Sequence, residues 1–129
     1  MILVDTSVWI DHLRAGKETL ARLLERGAVL GHPWVVGELA LGRLRRRQEV
    51  IELLNGLPQA TTATSPEALA FIECQELYGL GIGYVDAQLL AATKLTDGAA
   101  LWSHDRRLGA ATSRLGCAFD PRSAGDPRA

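Results

Sequence analysis

Three apolar runs, Ile2-Leu3-Val4, Ala28-Val29-Leu30 and Ala99 to Trp102, are each too short for a helix and are each followed by a longer stretch with helical spacing. This alternation constrains the fold more than any other feature. Successive strands joined by helical crossovers lie parallel, and a parallel sheet needs helices over both faces. The expected fold class is α/β: a three-layer α/β/α domain with a central, mostly parallel sheet. A chain of 129 residues, 47% of them hydrophobic, suits one such core. We assign residues 1–120 to the domain and residues 121–129 to a flexible C-terminal tail.

The finer pattern follows caps and breakers. Asp5-Thr6-Ser7 offers capping side chains to a helix through Val8, Trp9, Ile10 and Leu13 that stops at Gly16. A second helix is expected from Lys17 to Arg26. Pro33 suits the first turn of a third, which carries Val35, Val36, Leu39, Leu41 and Leu44 and ends in the basic run Arg43 to Arg47. Another helix covers Glu49 to Leu54, and Pro58 to Thr64 is a candidate short strand. Ser65-Pro66-Glu67 has the cap, proline and early acid of a helix start, and that helix is expected to reach about Tyr78. After the glycine loop comes a helix from Tyr84 to Leu95, then one through Leu108 and Leu115, then a last strand from Cys117 to Phe119.

In open α/β sheets, sites form outside the carboxyl ends of the strands. Asp5 and Asp105 each follow an apolar run and are expected there. Glu38 in WVVGELALG and Asp86 in GYVDAQLLAA have apolar neighbours, which predicts that both are largely covered. Covered carboxylates are costly together: two unit charges about 5 Å apart repel by roughly 3 kcal/mol at an effective dielectric of about 20. A divalent cation relieves that cost. Oxygen ligands favour Mg²⁺ or Mn²⁺ over Zn²⁺, and His12, His32 and His104 show no paired metal spacing.

With their flanking residues, from ILVDTSVWID through GELALG and GIGYVDAQLLAA to LWSHDRRL, the four acids resemble the PIN-domain family, in particular its VapC toxins. The resemblance covers almost the whole chain and includes the order Asp, Glu, Asp, Asp. It implies a compact α/β/α domain and a Mg²⁺-dependent endoribonuclease site, with Mn²⁺ as a substitute, that cleaves a structured RNA of the tRNA or rRNA class. It also implies a homodimer held silent by a cognate, VapB-like antitoxin, while the cysteine usage separately points to the cytoplasm. By position, Asp5, Glu38, Asp86 and Asp105 correspond to the family's four acids, and Ser103 falls where a small hydroxyl residue, most often threonine, is usual. Asp5 and Asp86 are then the principal metal ligands and Asp105 a further or water-mediated one. Glu38 is an outer ligand or a base that orients water.

Each acid also has a structural reading: Asp5 and Asp105 as helix caps, Asp86 as a first-turn acid favoured by the helix dipole. Glu38 has none as simple. Asp11, Asp97, Asp120 and Asp126 sit in polar or turn contexts and are left outside the site. The run Arg43 to Arg47 reads equally as an RNA contact or as a solvated helix C-terminus. Arg106 and Arg107, beside Asp105, are better placed for a phosphate. Gly79, Gly81 and Gly83 read as a loop that brings the chain near Asp86, and Trp9, Trp34 and Trp102 as core.

A net charge of −1 excludes the uniformly basic type of nucleic-acid binder. Cys74 and Cys117 form neither a CxxC pair nor a disulfide framework and read as two buried or inert thiols in a reducing cytoplasm, with a single disulfide as the alternative. No apolar run approaches a membrane span, so the expectation is a soluble protein with no membrane partner. Two alternative classes share these residues: a PIN-type nuclease acting in RNA processing or on a DNA flap, and a regulatory binding module with a vestigial acidic pocket. The intact set of four acids argues against the second. The lack of an added RNA-binding module argues against the first.

Overall fold

The computed structural model describes residues 1–124. The chain runs β1 (Ile2–Val4), α1 (Thr6–Ala15), α2 (Glu18–Glu25), β2 (Val29–Leu30), α3 (Pro33–Ala40), α4 (Arg47–Gly56), α5 (Ser65–Cys74), α6 (Tyr84–Leu95), β3 (Ala100–Trp102), α7 (Arg106–Arg114) and α8 (Pro121–Ala124). The three strands form one parallel sheet in the order β2-β1-β3, with Leu3 opposite Leu30 on one side and Leu101 on the other. Both candidate extra strands appear as single parallel bridges that extend the sheet edges. Gln59 pairs with Gly31, and Ala118 with Leu101.

Burial explains why such short strands suffice. Leu3, Val4 and Leu101 are at most 1% exposed, and Val8, Trp9, Leu20, Leu89, Leu90 and Leu108 close over them from the helices to the same degree. Each such side chain contributes roughly 1.5–3 kcal/mol when it leaves water. On the helical layers α1 packs on α3 and α3 on α4, while α5 packs on α6 and α6 against β3. No helix among the described residues is long and apolar enough to cross a membrane.

Three helix boundaries differ from the sequence expectation. α3 stops at Ala40, so Leu41 is 91% exposed instead of continuing an inward stripe, and residues 41–46 form a loop. Gly42 and four closely spaced arginines disfavour continuation, through backbone entropy and like-charge pairs at i,i+4. Arg47 therefore begins α4, and Arg46 takes a left-handed φ of 51°, so the basic run is not a helix C-terminus. α5 ends at Cys74, because Glu76 is left-handed at φ 52° and turns Leu77 back into the core. Within the expected tail, residues 121–124 form α8, and the remainder lies outside the described residues. Cys74 is exposed and Cys117 buried, both free.

Sheet order positions the site. From the central strand β1 the chain crosses first to β2 on one side and later returns to β3 on the other, so β1 and β3 are neighbours whose connections diverge. A cleft opens at their carboxyl ends. The Asp5 N–H continues the ladder there by donating to the Trp102 carbonyl at 2.9 Å.

Candidate active site

Asp5, 5% exposed, is the most enclosed of the four acids. It caps α1: Oδ1 accepts from the Thr6 N–H at 2.7 Å. Oδ2 accepts from two hydroxyls, Ser7 Oγ at 2.7 Å and Ser103 Oγ at 2.8 Å. Those hydroxyls are themselves held, since Ser7 Oγ accepts from the His104 N–H at 3.0 Å and Ser103 Oγ from the Asp105 N–H at 3.0 Å. Two residues nearly a hundred apart in sequence are thereby fixed on one carboxylate. Ser103 is the bridge from β1 to the turn after β3.

Asp105 caps α7, its Oδ1 accepting from the Leu108 N–H at 2.9 Å, and is exposed. Asp86 lies in the first turn of α6, half-buried, with Oδ2 accepting from the Gly83 N–H at 2.9 Å. Burial pushes its carboxyl above the ordinary aspartate range; the Gly83 N–H opposes this, and the negative charges of Asp5, Asp105 and Glu38 push it further up. The fold thus brings the four acids into one electrostatic unit.

Glu38 is a correction to the sequence reading, because it is exposed. Val35 and Leu39 take the buried face of α3 at 2% each, whereas Trp34, at 40%, and Leu41 leave the other face open. Its Oε1 accepts from Thr6 Oγ1 at 2.6 Å, which ties α3 to the residue after Asp5. Trp34 is likewise not core. It stacks edge-on against Tyr84 at 5.6 Å, beside a shallow cavity of about 650 Å³ lined by Pro33, Trp34, Gly37, Glu38, Leu41 and Val85.

Thr6 and Ser7, read from sequence only as capping residues, orient Glu38 and Asp5 respectively. Asp11, left outside, bonds His104 Nδ1 at 2.6 Å, and that bond holds the Asp11 carboxyl below the usual range. The i,i+4 spacing of Ser7 and Asp11 within α1 was the available signal, since side chains about one turn apart share a helix face, and Thr6 carries no such signal.

The donor set is all oxygen, and the mutual repulsion on Asp86 is what a hard divalent cation relieves. Among the described residues no three acidic, histidine or cysteine side chains stand close enough to ligate one ion together. One or two direct carboxylates with the remaining positions filled by water is the ligation that a hard cation such as Mg²⁺ takes. Asp5 and Asp86 are the residues that would hold such an ion directly, with Asp105 reaching it through water.

A parallel sheet with an acidic cleft at the diverging connections of its central strand defines a class, and the sequence agrees. Residues 2–112 match the model of the PIN domain, and the chain belongs to that family. It is 47% identical over 119 residues to "Ribonuclease VapC32" of Mycobacterium tuberculosis, in two strains, covering 92% of this chain and 96% of that protein. The fold is similar to that in the crystal structure of FitAcB from Neisseria gonorrhoeae, with a TM-score of 0.64 at 21% identity, covering 95% of this chain and 99% of that one.

Proposed function

We propose that the protein is a Mg²⁺-dependent endoribonuclease, active also with Mn²⁺, that serves as the toxin of a toxin–antitoxin pair and cleaves a structured RNA of the tRNA or rRNA class. The observation that carries this reading is the placement of Asp5 and Asp105 at the ends of neighbouring strands, with Asp86 at the start of α6 under the influence of their charges. It is supported by the 47% identity to a protein named as a ribonuclease. When bound, the metal would orient and acidify the attacking water and neutralise charge on the phosphate. The chain supplies the rest. Asp5 and Asp86 hold the cation and Asp105 reaches it through water. Ser7 and Ser103 fix the Asp5 carboxylate, and Glu38, solvent-facing and held by Thr6, is free to orient a water.

The apolar cavity beside Glu38 suits a short antitoxin segment, VapB-like, whose apolar side chains would cover Trp34 and Leu41 while a basic one meets the acids. Leu53, Leu69 and Tyr78, between 49% and 60% exposed, leave apolar surface for a homodimer. We place this activity in the cytoplasm, with no membrane partner. The test is cleavage of a folded RNA by purified protein with Mg²⁺ or Mn²⁺ and with excess chelator, beside growth with and without the cognate antitoxin co-expressed. Metal-dependent cleavage and toxicity relieved by the partner are expected. Undiminished cleavage in chelator refutes the metal reading, and equal growth in both strains, with soluble protein, refutes the toxin reading.

A further inference from the structure

Arg107 is a cation two residues beyond Asp105 that pairs with none of the four acids. Its side chain lies over Gly81: a Cβ built on that glycine would stand 2.7 Å from Nη1, 3.0 Å from Cδ and 3.1 Å from Cζ. Nη1 also makes a long hydrogen bond to the Gly81 carbonyl, at 3.5 Å. Gly81 has φ +76°, so the backbone conformation calls for glycine there, and a Cβ would displace the end of the Arg107 side chain. Two residues on, the Gly83 N–H donates to Asp86, while Arg107 itself stands two residues beyond Asp105. The guanidinium is thus braced between the segments that carry two of the four acids. Among the described residues it pairs with no carboxylate, and it is exposed.

An RNA strand entering a cleft lined by carboxylates is repelled unless a positive group meets its phosphates. A guanidinium has five donors in a planar fork that matches phosphate oxygens, and here one of them is engaged, weakly. A pre-positioned fork loses less conformational freedom on binding than a free one. We propose that Arg107, braced on the Gly81 backbone, binds an RNA phosphate and so positions the strand beside Asp86 and Asp105. This rests on the ribonuclease reading above.

The loop contains its own control. Gly79 shares the φ of +76° but has nothing within 4 Å of its Cβ direction, so alanine at 79 and at 81 carry the same backbone strain and only Gly81→Ala displaces Arg107. The experiment measures binding of a fluorescently labelled RNA hairpin in chelator across a range of salt concentrations, with cleavage in Mg²⁺ or Mn²⁺ measured alongside. Arg107→Gln should weaken binding about tenfold and lower the slope of log affinity against log salt by about 0.7–0.9, the loss of one phosphate contact. Gly81→Ala should shift both in the same direction. Gly79→Ala should keep the wild-type slope, and adding Gly81→Ala to Arg107→Gln should weaken binding no further. Wild-type cleavage with an unchanged slope in Arg107→Gln overturns this inference and leaves the ribonuclease reading standing. A changed slope with no wild-type cleavage supports the inference and removes the reading, and a wild type that binds no RNA overturns both.

Discussion

Asp86 is half-buried at the start of α6 with its charge opposed by burial and by Asp5, Asp105 and Glu38, and that opposition sets the sign of what asparagine should do there. The substitution keeps an oxygen to accept from the Gly83 N–H and removes the charge. Two carboxylate charges repel by roughly 3 kcal/mol at about 5 Å and an effective dielectric of about 20, and by less as they separate. Solvent screening reduces the sum of three such pairs to roughly 1–2 kcal/mol at a half-exposed site. Against this stands the lost attraction of a negative charge for a helix N-terminus, about 0.3–1 kcal/mol. In chelator at neutral pH, Asp86→Asn should therefore be more stable than wild type by about 1 kcal/mol, with cleavage lost.

The pH dependence checks the cause. A folded-state pKa raised above the unfolded value means that the folded protein holds the Asp86 proton more tightly. Its contribution to stability is fully present below the ordinary aspartate value of 3.8 and is lost as pH rises through the raised one. The advantage of asparagine should accordingly vanish at the acid end and grow across that window. Added Mg²⁺ should narrow or reverse the order, since at ten times its dissociation constant a ligand stabilises the protein that binds it by about 1.4 kcal/mol. The assay is denaturant unfolding of both proteins at several pH values, with chelator and with metal. An asparagine variant that is less stable in chelator, or an advantage that stays flat with pH, refutes the charge-cluster argument.

The other acids should respond differently. Asp5→Asn leaves the Ser7 and Ser103 hydroxyls facing an amide group where Oδ2 now accepts from both, so the buried site loses about 1–3 kcal/mol by denaturant unfolding in chelator. A variant as stable as wild type would mean that the hydroxyls turn round without penalty. Glu38→Gln, on the exposed face of α3, should change stability by less than about 0.5 kcal/mol yet lower the cleavage rate about a hundredfold or more, the smaller end of a positioned base's contribution. Unaltered cleavage would remove Glu38 from the chemistry.

What the sequence made legible follows from where its constraints are local. An apolar run that ends in aspartate and is followed by a helix places Asp5 and Asp105 at strand ends whatever the rest of the chain does, and the residues that cap a helix there also face the cleft. Capping and site roles are therefore not rivals at Asp5, Asp86 and Asp105, because each carboxylate accepts an N–H at a helix start and still presents charge to the others. Glu38 was misread because its surroundings depend on a helix end. With Leu41 and Leu44 counted as inward, Glu38 is covered; with α3 stopped at Ala40, it faces solvent. The His104 bond to Asp11 and the Ser103 bond to Asp5 join residues 93 and 98 positions apart, and no periodicity within one segment encodes such pairs. Gly81 shows the same limit from the other direction. Its glycine is explained locally by the turn, and only the fold shows that the Arg107 side chain lies across the space a Cβ would take.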